Sequence, residues 1–193
     1  MNDREYAYVR RKVQALFDID LSQYKEEQMR RRLHGYLQRT GAKTWAEYMR
    51  RLESDVAEQA RFQSYLTINV SSFFRDADRF QQLSEQILPE LLRRSSRLAV
   101  WSAGCSHGGE PYTLAILLKE LAPHRQHHIW ATDIDRNALR LACAGGPYPH
   151  EAVKEVPPAL LLRYFVHEST GYHVVPSLRR LVSFKRHNLL EDP

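Results

Sequence analysis

The sequence predicts an α/β protein with an all-helical N-terminal part, on three observations. Residues 1 to about 65 place their apolar residues at helical spacing and give no strand signal. Between Leu98 and Leu121 a short apolar strand, a glycine loop and a helix follow one another. A second apolar strand, Ile129-Trp130-Ala131-Thr132, ends in Asp133 about twenty residues past those glycines, the spacing of a βαβ unit with an acid at its second strand.

The helical part reads as four helices. Asp3 caps the first, in which Tyr6, Val9, Val13, Leu16 and Phe17 recur at helical spacing. The second runs from about Lys25 to Arg39 and stops at Gly41, a residue suited to the position after a helix. Thr44-Trp45-Ala46-Glu47 has the capping-box pattern and starts a third; Ser54 or Asp55 opens a fourth, ending near Tyr65. The second helix carries Arg30, Arg31 and Arg32, and three consecutive residues cannot share one helix face. At least one therefore faces solvent while another's stem covers apolar surface. Two roles are open to them: a solvated basic face, or guanidinium forks that meet carboxylates on a partner.

Leu66 to Arg75 links the two parts, with Phe73 and Phe74 as packing residues, and Asp76 caps a helix bearing Phe80, Leu83, Ile87, Leu88 and Leu91. Leu98 to Trp101 reads as a strand buried on both faces. Pro111 falls in the first turn of the next helix, where its missing N–H has no intrahelical partner to lose. Leu114, Ile116, Leu117, Leu118 and Leu121 give that helix a broad apolar face. Gly104, Gly108 and Gly109 lie between strand and helix, where the absence of Cβ lets the backbone turn sharply and lets a ligand approach the main chain. Asp133 suits ribose hydroxyls, which argues for a nucleoside ligand. The loop is not a strict G-x-G-x-x-G and lacks the Gly-Lys-Ser/Thr ending that holds triphosphates. Glu110 would repel a phosphate and suits a ligand with positive charge, such as the sulfonium and ammonium groups of S-adenosylmethionine. The competing reading is that the glycines merely make a tight strand-to-helix turn.

Composition bounds the function. With 193 residues, 43% hydrophobic and 26% charged, the chain has the makings of one good domain or two small ones with a packed core. No apolar run approaches the roughly eighteen residues of a membrane span, and the N-terminus has no signal-peptide core, so a cytoplasmic protein is expected, without membrane insertion. The 2 cysteines are too few for a disulfide framework and read as packed, reduced thiols in buried or small-residue surroundings. The 9 histidines show no metal spacing; His124, His127 and His128 read as solvated loop residues, and no metal is expected. A net charge of +5 favours acidic partners, either nucleic acid or an acidic protein helix.

Trp-Ser-Ala-Gly-Cys-Ser-x-Gly-x-Glu-Pro-Tyr-x-Leu-Ala from Trp101 to Ala115, Ala-Thr-Asp-Ile-Asp from Ala131 to Asp135, and Asn-x-Ser-x-Phe-Phe-Arg-Asp from Asn69 to Asp76 resemble the CheR family of chemoreceptor glutamate methyltransferases. The likeness runs from about residue 10 to the last residue, with the motifs in family order. It implies a helical receptor-recognition domain over residues 1–65, and a Rossmann-like S-adenosylmethionine-dependent methyltransferase domain over 66–193. Arg30, Arg31 and Arg32 would meet the acidic methylation region of receptor cytoplasmic helices. Asn69, Ser71 and Arg75 match positions that contact the cofactor. Glu110 is assigned to its cationic methionine end, Asp133 to the ribose hydroxyls, and Asn188 with Leu189 to the adenine. Arg75 is the candidate catalytic residue, steering a carboxylate of either the cofactor or the substrate. The implied reaction transfers a methyl group from S-adenosyl-L-methionine to a glutamate side chain, leaving a methyl ester and S-adenosyl-L-homocysteine. Gly109 departs from the family pattern, in which an acid is common there, and so removes one charge near the loop.

Beyond Asp135 a helix over Asn137 to Ala144 ends at Gly145-Gly146-Pro147, and Pro157-Pro158 begins another that runs through Leu162. Tyr172 to Val175 and Leu181 to Phe184 have strand character and resemble the small antiparallel β-subdomain that the family inserts, over about 163–183. The short loop Ser169-Thr170-Gly171 predicts that docking of a receptor tether is absent. Val182 to Leu190 reads as a third parallel strand, so the parallel sheet is expected to be incomplete and the chain truncated at its C-terminus relative to the family. An open sheet edge favours self-association. Two alternatives follow: a truncated, non-catalytic receptor-binding module, and a nucleic-acid methyltransferase. Against the latter, the N-terminal part lacks interleaved exposed aromatics and balances its arginines with acids, so no nucleic-acid partner is expected.

Overall fold

A computed structural model describes residues 1–67 and 71–192 and divides into two compact units, Met1–Leu66 and Thr67–Pro193. The first unit contains α1 (Asp3–Phe17), a 3-10 turn (Leu21–Gln23), α2 (Glu26–Thr40), α3 (Trp45–Ser54) and α4 (Val56–Leu66). Asn2, not Asp3, caps α1: its side chain accepts the Glu5 amide and the Glu5 carboxylate accepts the Asn2 amide, both at 2.9 Å. The α2 helix ends at Gly41 with φ 71. Thr44 accepts the Glu47 amide at 3.2 Å, but Glu47 takes the amide of Lys43 rather than of Thr44, so the capping box is only half closed. Of the two candidates for opening α4, Asp55 does so by accepting the Glu58 amide. Val9, Val13, Leu33, Tyr48, Met49, Leu52, Phe62 and Leu66 are buried at the centre of this unit.

The second unit begins with a helical run, α5 (Ala77–Gln82), a π turn (Leu83–Ile87) and α6 (Leu88–Arg94). Asp76 sits at φ 61 and makes no side-chain cap, because the preceding backbone enters the helix from the left-handed region. Then come β1 (Ala99–Ala103), α7 (Gly109–Leu121), β2 (His128–Asp133), α8 (Arg136–Ala144), α9 (His150–Val153), α10 (Pro158–Tyr164), β3 (Phe165–Glu168), β4 (Gly171–Val174), α11 (Pro176–Arg179) and β5 (Val182–Arg186). Strands β1, β2 and β5 form a parallel sheet in that order; β3 and β4 form a separate antiparallel hairpin closed by Ser169-Thr170. Val182 to Phe184 therefore belongs to the parallel sheet, with Leu181 in the turn before it, and not to the β-subdomain, whose hairpin spans 165–174.

Tyr112 of α7 packs on Phe184 of β5 and donates to the carbonyl of Ala142 in α8, so both helices lie over the sheet face that buries Ile129 and Ala131. The other face carries the register partners Trp101 and Trp130, which are 58% and 50% exposed. Ala99, Trp101 and Ala103 of β1 are all exposed on this face, which corrects the expectation that the strand is buried on both faces. His127 is buried and accepts the Leu98 amide at Nδ1, and His128 lies in β2 against Trp130; of the three histidines read as solvated, His124 alone is exposed. Cys105 is buried but Cys143 is exposed; both are free thiols. Among the described residues no helix is long and apolar enough to cross a membrane, and no group of three or more His, Cys, Asp or Glu is placed to hold a metal ion.

Candidate cofactor site at the glycine loop

The loop after β1 is built over the end of β2. The amides of Gly104 and Cys105 both donate to the carbonyl of Thr132, at 2.8 and 2.9 Å, and the chain then passes through left-handed residues at Gly104 (φ 73), Ser106 (φ 49) and Gly108 (φ 90) before entering α7. The three glycines serve different ends. A Cβ on Gly104 would meet nothing within 4 Å, so the main chain there is open to a ligand. On Gly108 it would press on Ala142 and the Tyr112 ring at 3.1–3.2 Å, where α7 and α8 approach. On Gly109 it would lie 2.7 Å from the Ser71 hydroxyl and 2.8 Å from the Ser72 carbonyl. Gly109 thus makes room for the preceding segment, a steric role beyond the loss of charge noted in the sequence.

Asp133 ends β2 and is 8% exposed. Its Oδ2 accepts the Ser106 amide at 2.7 Å and its Oδ1 accepts the Asp135 amide at 2.8 Å. Each carboxylate oxygen offers two lone pairs, so capacity remains for hydroxyl donors. Glu110, exposed in the first turn of α7, accepts from the buried Ser102 hydroxyl of β1 at 2.6 Å. The loop thereby presents carboxylates at the C-terminal end of a parallel sheet, where ligands of open α/β sheets bind. This donor set fits a nucleoside with a cationic tail: Asp133 for ribose hydroxyls, Glu110 for the cation, and open main chain at Gly104.

Burial, with the Asp133 charge adding to it, pushes the Cys105 thiol up to about 12, so it stays protonated and is no nucleophile at neutral pH. Burial holds His107 below its ordinary value and keeps its imidazole neutral there.

Ser71 and Arg75 lie on a short strap, residues 71–76, that packs on α7. The Phe73 amide donates to the Ala152 carbonyl at 2.9 Å and the Phe74 amide to Thr113 Oγ1 at 3.0 Å; Ser71 lies against Gly109, and Arg75 is exposed. Asn69 lies outside the described residues. Asp135 contributes more than its place in the motif suggests. Fully buried, it caps α8 through Oδ1 and accepts the Thr67 hydroxyl at Oδ2, 3.0 Å away. An acid just before a helix signals the cap, but nothing local in sequence signals Thr67.

The adenine assignment receives less support. Asn188 is buried, yet its amide donates to Glu191 at 2.7 Å and its Oδ1 accepts the Leu190 amide at 3.1 Å, so the side chain is committed to its own turn. Leu189 is 54% exposed. Nor are the three arginines of α2 equivalent. Arg30 donates to Asp3 and Glu26 and lies 4.4 Å over the Tyr6 ring. Arg32 donates twice to the Tyr65 carbonyl and lies 4.1 Å over that ring. These two forks are used inside the helical unit, whereas Arg31 is exposed.

Comparison with known proteins agrees with this division of the chain. Residues 69–193 match the family described as CheR methyltransferase, SAM binding domain, and residues 4–67 match CheR methyltransferase, all-alpha domain. A chemotaxis protein methyltransferase of Listeria monocytogenes is 37% identical over 191 residues, which cover 98% of this chain and 72% of the relative. That of Escherichia coli is 35% identical over 197 residues, covering 95% of this chain and 66% of the relative. That of Borreliella burgdorferi is 32% identical over 188 residues, covering 91% and 66%.

Proposed function

Because the chain belongs to the CheR methyltransferase family, with S-adenosyl-L-methionine as its methyl donor, we propose that it methylates glutamate side chains on the cytoplasmic helices of chemoreceptors, forming methyl esters. The observation that carries the reading is the glycine loop flanked by Asp133 and Glu110, a site built for a nucleoside bearing positive charge. Bound there, the cofactor supplies an electrophilic methyl group on a sulfonium. The chain's own residues hold and orient. Asp133 accepts ribose hydroxyls, Glu110 attracts the methionine end, and Ser71 and Arg75 border it from the strap, with Arg75 steering a carboxylate. A glutamate carboxylate is already a nucleophile at neutral pH, so no general base is required; the protonated Cys105 thiol and neutral His107 take no part. Alignment of the two reactants is the main contribution, worth several kcal/mol in favourable cases.

The helical unit is the proposed receptor-recognition domain, with Arg31 presenting its guanidinium to acidic receptor residues. Such a protein works in the cytoplasm.

The test of the reaction is transfer of radiolabel from methyl-labelled S-adenosylmethionine to a purified receptor cytoplasmic fragment, followed by alkaline hydrolysis. Label released as methanol, and lost with Asp133→Ala, supports esterification of glutamate. Label that is stable to alkali, or appears in nucleic acid instead, overturns it.

A further inference from the structure

The strap that carries Ser71 and Arg75 is fastened to the cofactor loop by a side chain with no role in the reading above. Thr113 lies on α7 one helical turn beyond Gly109 and is fully buried. Its Oγ1 donates to the Gly109 carbonyl at 2.7 Å and accepts the Phe74 amide at 3.0 Å. The first bond is common for a helical threonine. The second crosses to another segment, and its surroundings set it apart.

Phe74 is held at φ 54 and Asp76 at φ 61, a region in which non-glycine residues persist only when neighbouring structure over-determines them. The neighbours do so here. Ser71 and Ser72 close on Gly109 so tightly that an added Cβ would lie 2.7–2.8 Å away. The Phe73 amide is tied to the Ala152 carbonyl, and its ring sits edge-on to Tyr148 and Phe165, each with centroids at 4.9 Å. Among these ties the Thr113 hydroxyl is the one that reaches the residue next to Arg75. Without it the Phe74 amide loses its partner in a buried place.

We propose that Thr113 is a positioning residue for cofactor binding: its hydroxyl fixes the strap on the turn bearing Glu110, so that Ser71 and Arg75 face the methionine end of the cofactor. This rests on the reading of those two residues as cofactor-side groups. Valine has nearly the shape of threonine and keeps the buried packing, but it cannot accept from Phe74; serine can.

The experiment compares wild type, Thr113→Val and Thr113→Ser in the full chain, with Thr113→Ala in place of the valine variant if that one does not fold. Exchange of the Phe74 amide is followed by NMR without ligand, S-adenosylhomocysteine affinity is measured by calorimetry, and KM for S-adenosylmethionine is separated from kcat. The expected result for valine is an accelerated Phe74 exchange, with affinity weakened about tenfold, the factor that 1.4 kcal/mol represents. Stoichiometry stays unchanged, KM rises more than kcat falls, and serine restores all three. A merely structural role would lower the melting temperature while leaving the affinity and KM of the folded protein alone. Unchanged Phe74 exchange, or faster exchange with unchanged affinity, overturns the proposal. If wild type binds no S-adenosylhomocysteine, the cofactor-side reading fails and the functional part of the proposal with it, while Phe74 exchange still decides whether Thr113 holds the strap.

Discussion

The amide of Ser106 donates to Oδ2 of Asp133 at 2.7 Å, while Oδ1 of the same carboxylate accepts the Asp135 amide at 2.8 Å. One acid therefore braces the glycine loop on one side and the turn into α8 on the other. Its orientation is fixed by the fold before a ligand arrives, which reduces the ordering a ligand must impose.

Asp133→Ala should accordingly do two things. It removes the acceptor for ribose hydroxyls and leaves the Ser106 amide unpaired. Hydrogen bonds to a charged group contribute about 1.5–3 kcal/mol each, so affinity for S-adenosylhomocysteine should fall by about 100-fold or more. Asp133→Asn keeps an acceptor at Oδ1 but turns an NH2 toward the Ser106 amide, and should fall between the two. Calorimetric titration measures both; an alanine variant within a few-fold of wild type would remove Asp133 from the site.

At Gly109 the expected sign is opposite to helix propensity. Alanine is favoured over glycine in a helix interior by about 1 kcal/mol, which would stabilise α7 if space allowed. The Ser72 carbonyl at 2.8 Å is backbone and cannot swing away, so the strap must shift. Gly109→Ala should lower the melting temperature by several degrees, on the scale of 1–2 kcal/mol for a domain of this size, and weaken cofactor binding. Since alanine adds no charge, comparison with Gly109→Glu separates the steric effect from the electrostatic one. A stabilised alanine variant would show that the strap yields.

The contrast between these residues shows what was legible in the sequence. The glycine loop, the acid ending β2, the helix stop at Gly41 and the Asp55 cap rest on local chemistry, and the chain folds as those rules require. Thr113 was not legible, because its partner Phe74 is 39 residues away and only packing brings them together. The β3 strand was missed because Val166, His167 and Glu168 are all exposed, so no alternation marks a buried face. His127 looked like a loop residue until the approach to β1 supplied the Leu98 amide to its ring. The arginine triplet could be divided into inward and outward members by helix geometry, but which member was which depended on Tyr6, Asp3 and Tyr65.

That division separates recognition from stability within the helical unit. Arg32→Ala removes two donors to the Tyr65 carbonyl and a cation over its ring, and should destabilise the unit by about 1–3 kcal/mol. Arg31→Ala should leave stability within about 0.5 kcal/mol of wild type, as for ordinary surface changes, while weakening capture of an acidic receptor helix. Thermal unfolding and pull-down of a receptor cytoplasmic fragment give the two readouts. Loss of capture with Arg32→Ala alone, in a folded protein, would move the recognition role to Arg32.

The same unit should be acid-labile through Glu58. Its side chain is 13% exposed. Burial by itself would raise this carboxyl, but hydrogen bonds from Tyr48, Arg61 and Tyr36 outweigh that and hold it below the ordinary range. Tyr48 donates to Oε1 at 2.7 Å, Tyr36 to the same oxygen at 3.1 Å, and Arg61 to Oε2 at 2.8 Å. With the folded value below the unfolded one, about 4.3 for glutamate, the unfolded chain takes up the proton first as pH falls. The contribution of Glu58 is thus complete well above the unfolded value and is lost as pH drops through the folded one. In Glu58→Gln the carbonyl still accepts from Tyr48, but the charge is gone. The variant should be less stable than wild type at pH 7, and the gap should narrow on acidification below about pH 5. Exchange of the Phe62 amide in the full chain, followed from pH 7 to pH 4, reads the opening of this unit alone. A gap that stays constant across that range would mean that the carboxylate is not held by its two tyrosines and Arg61.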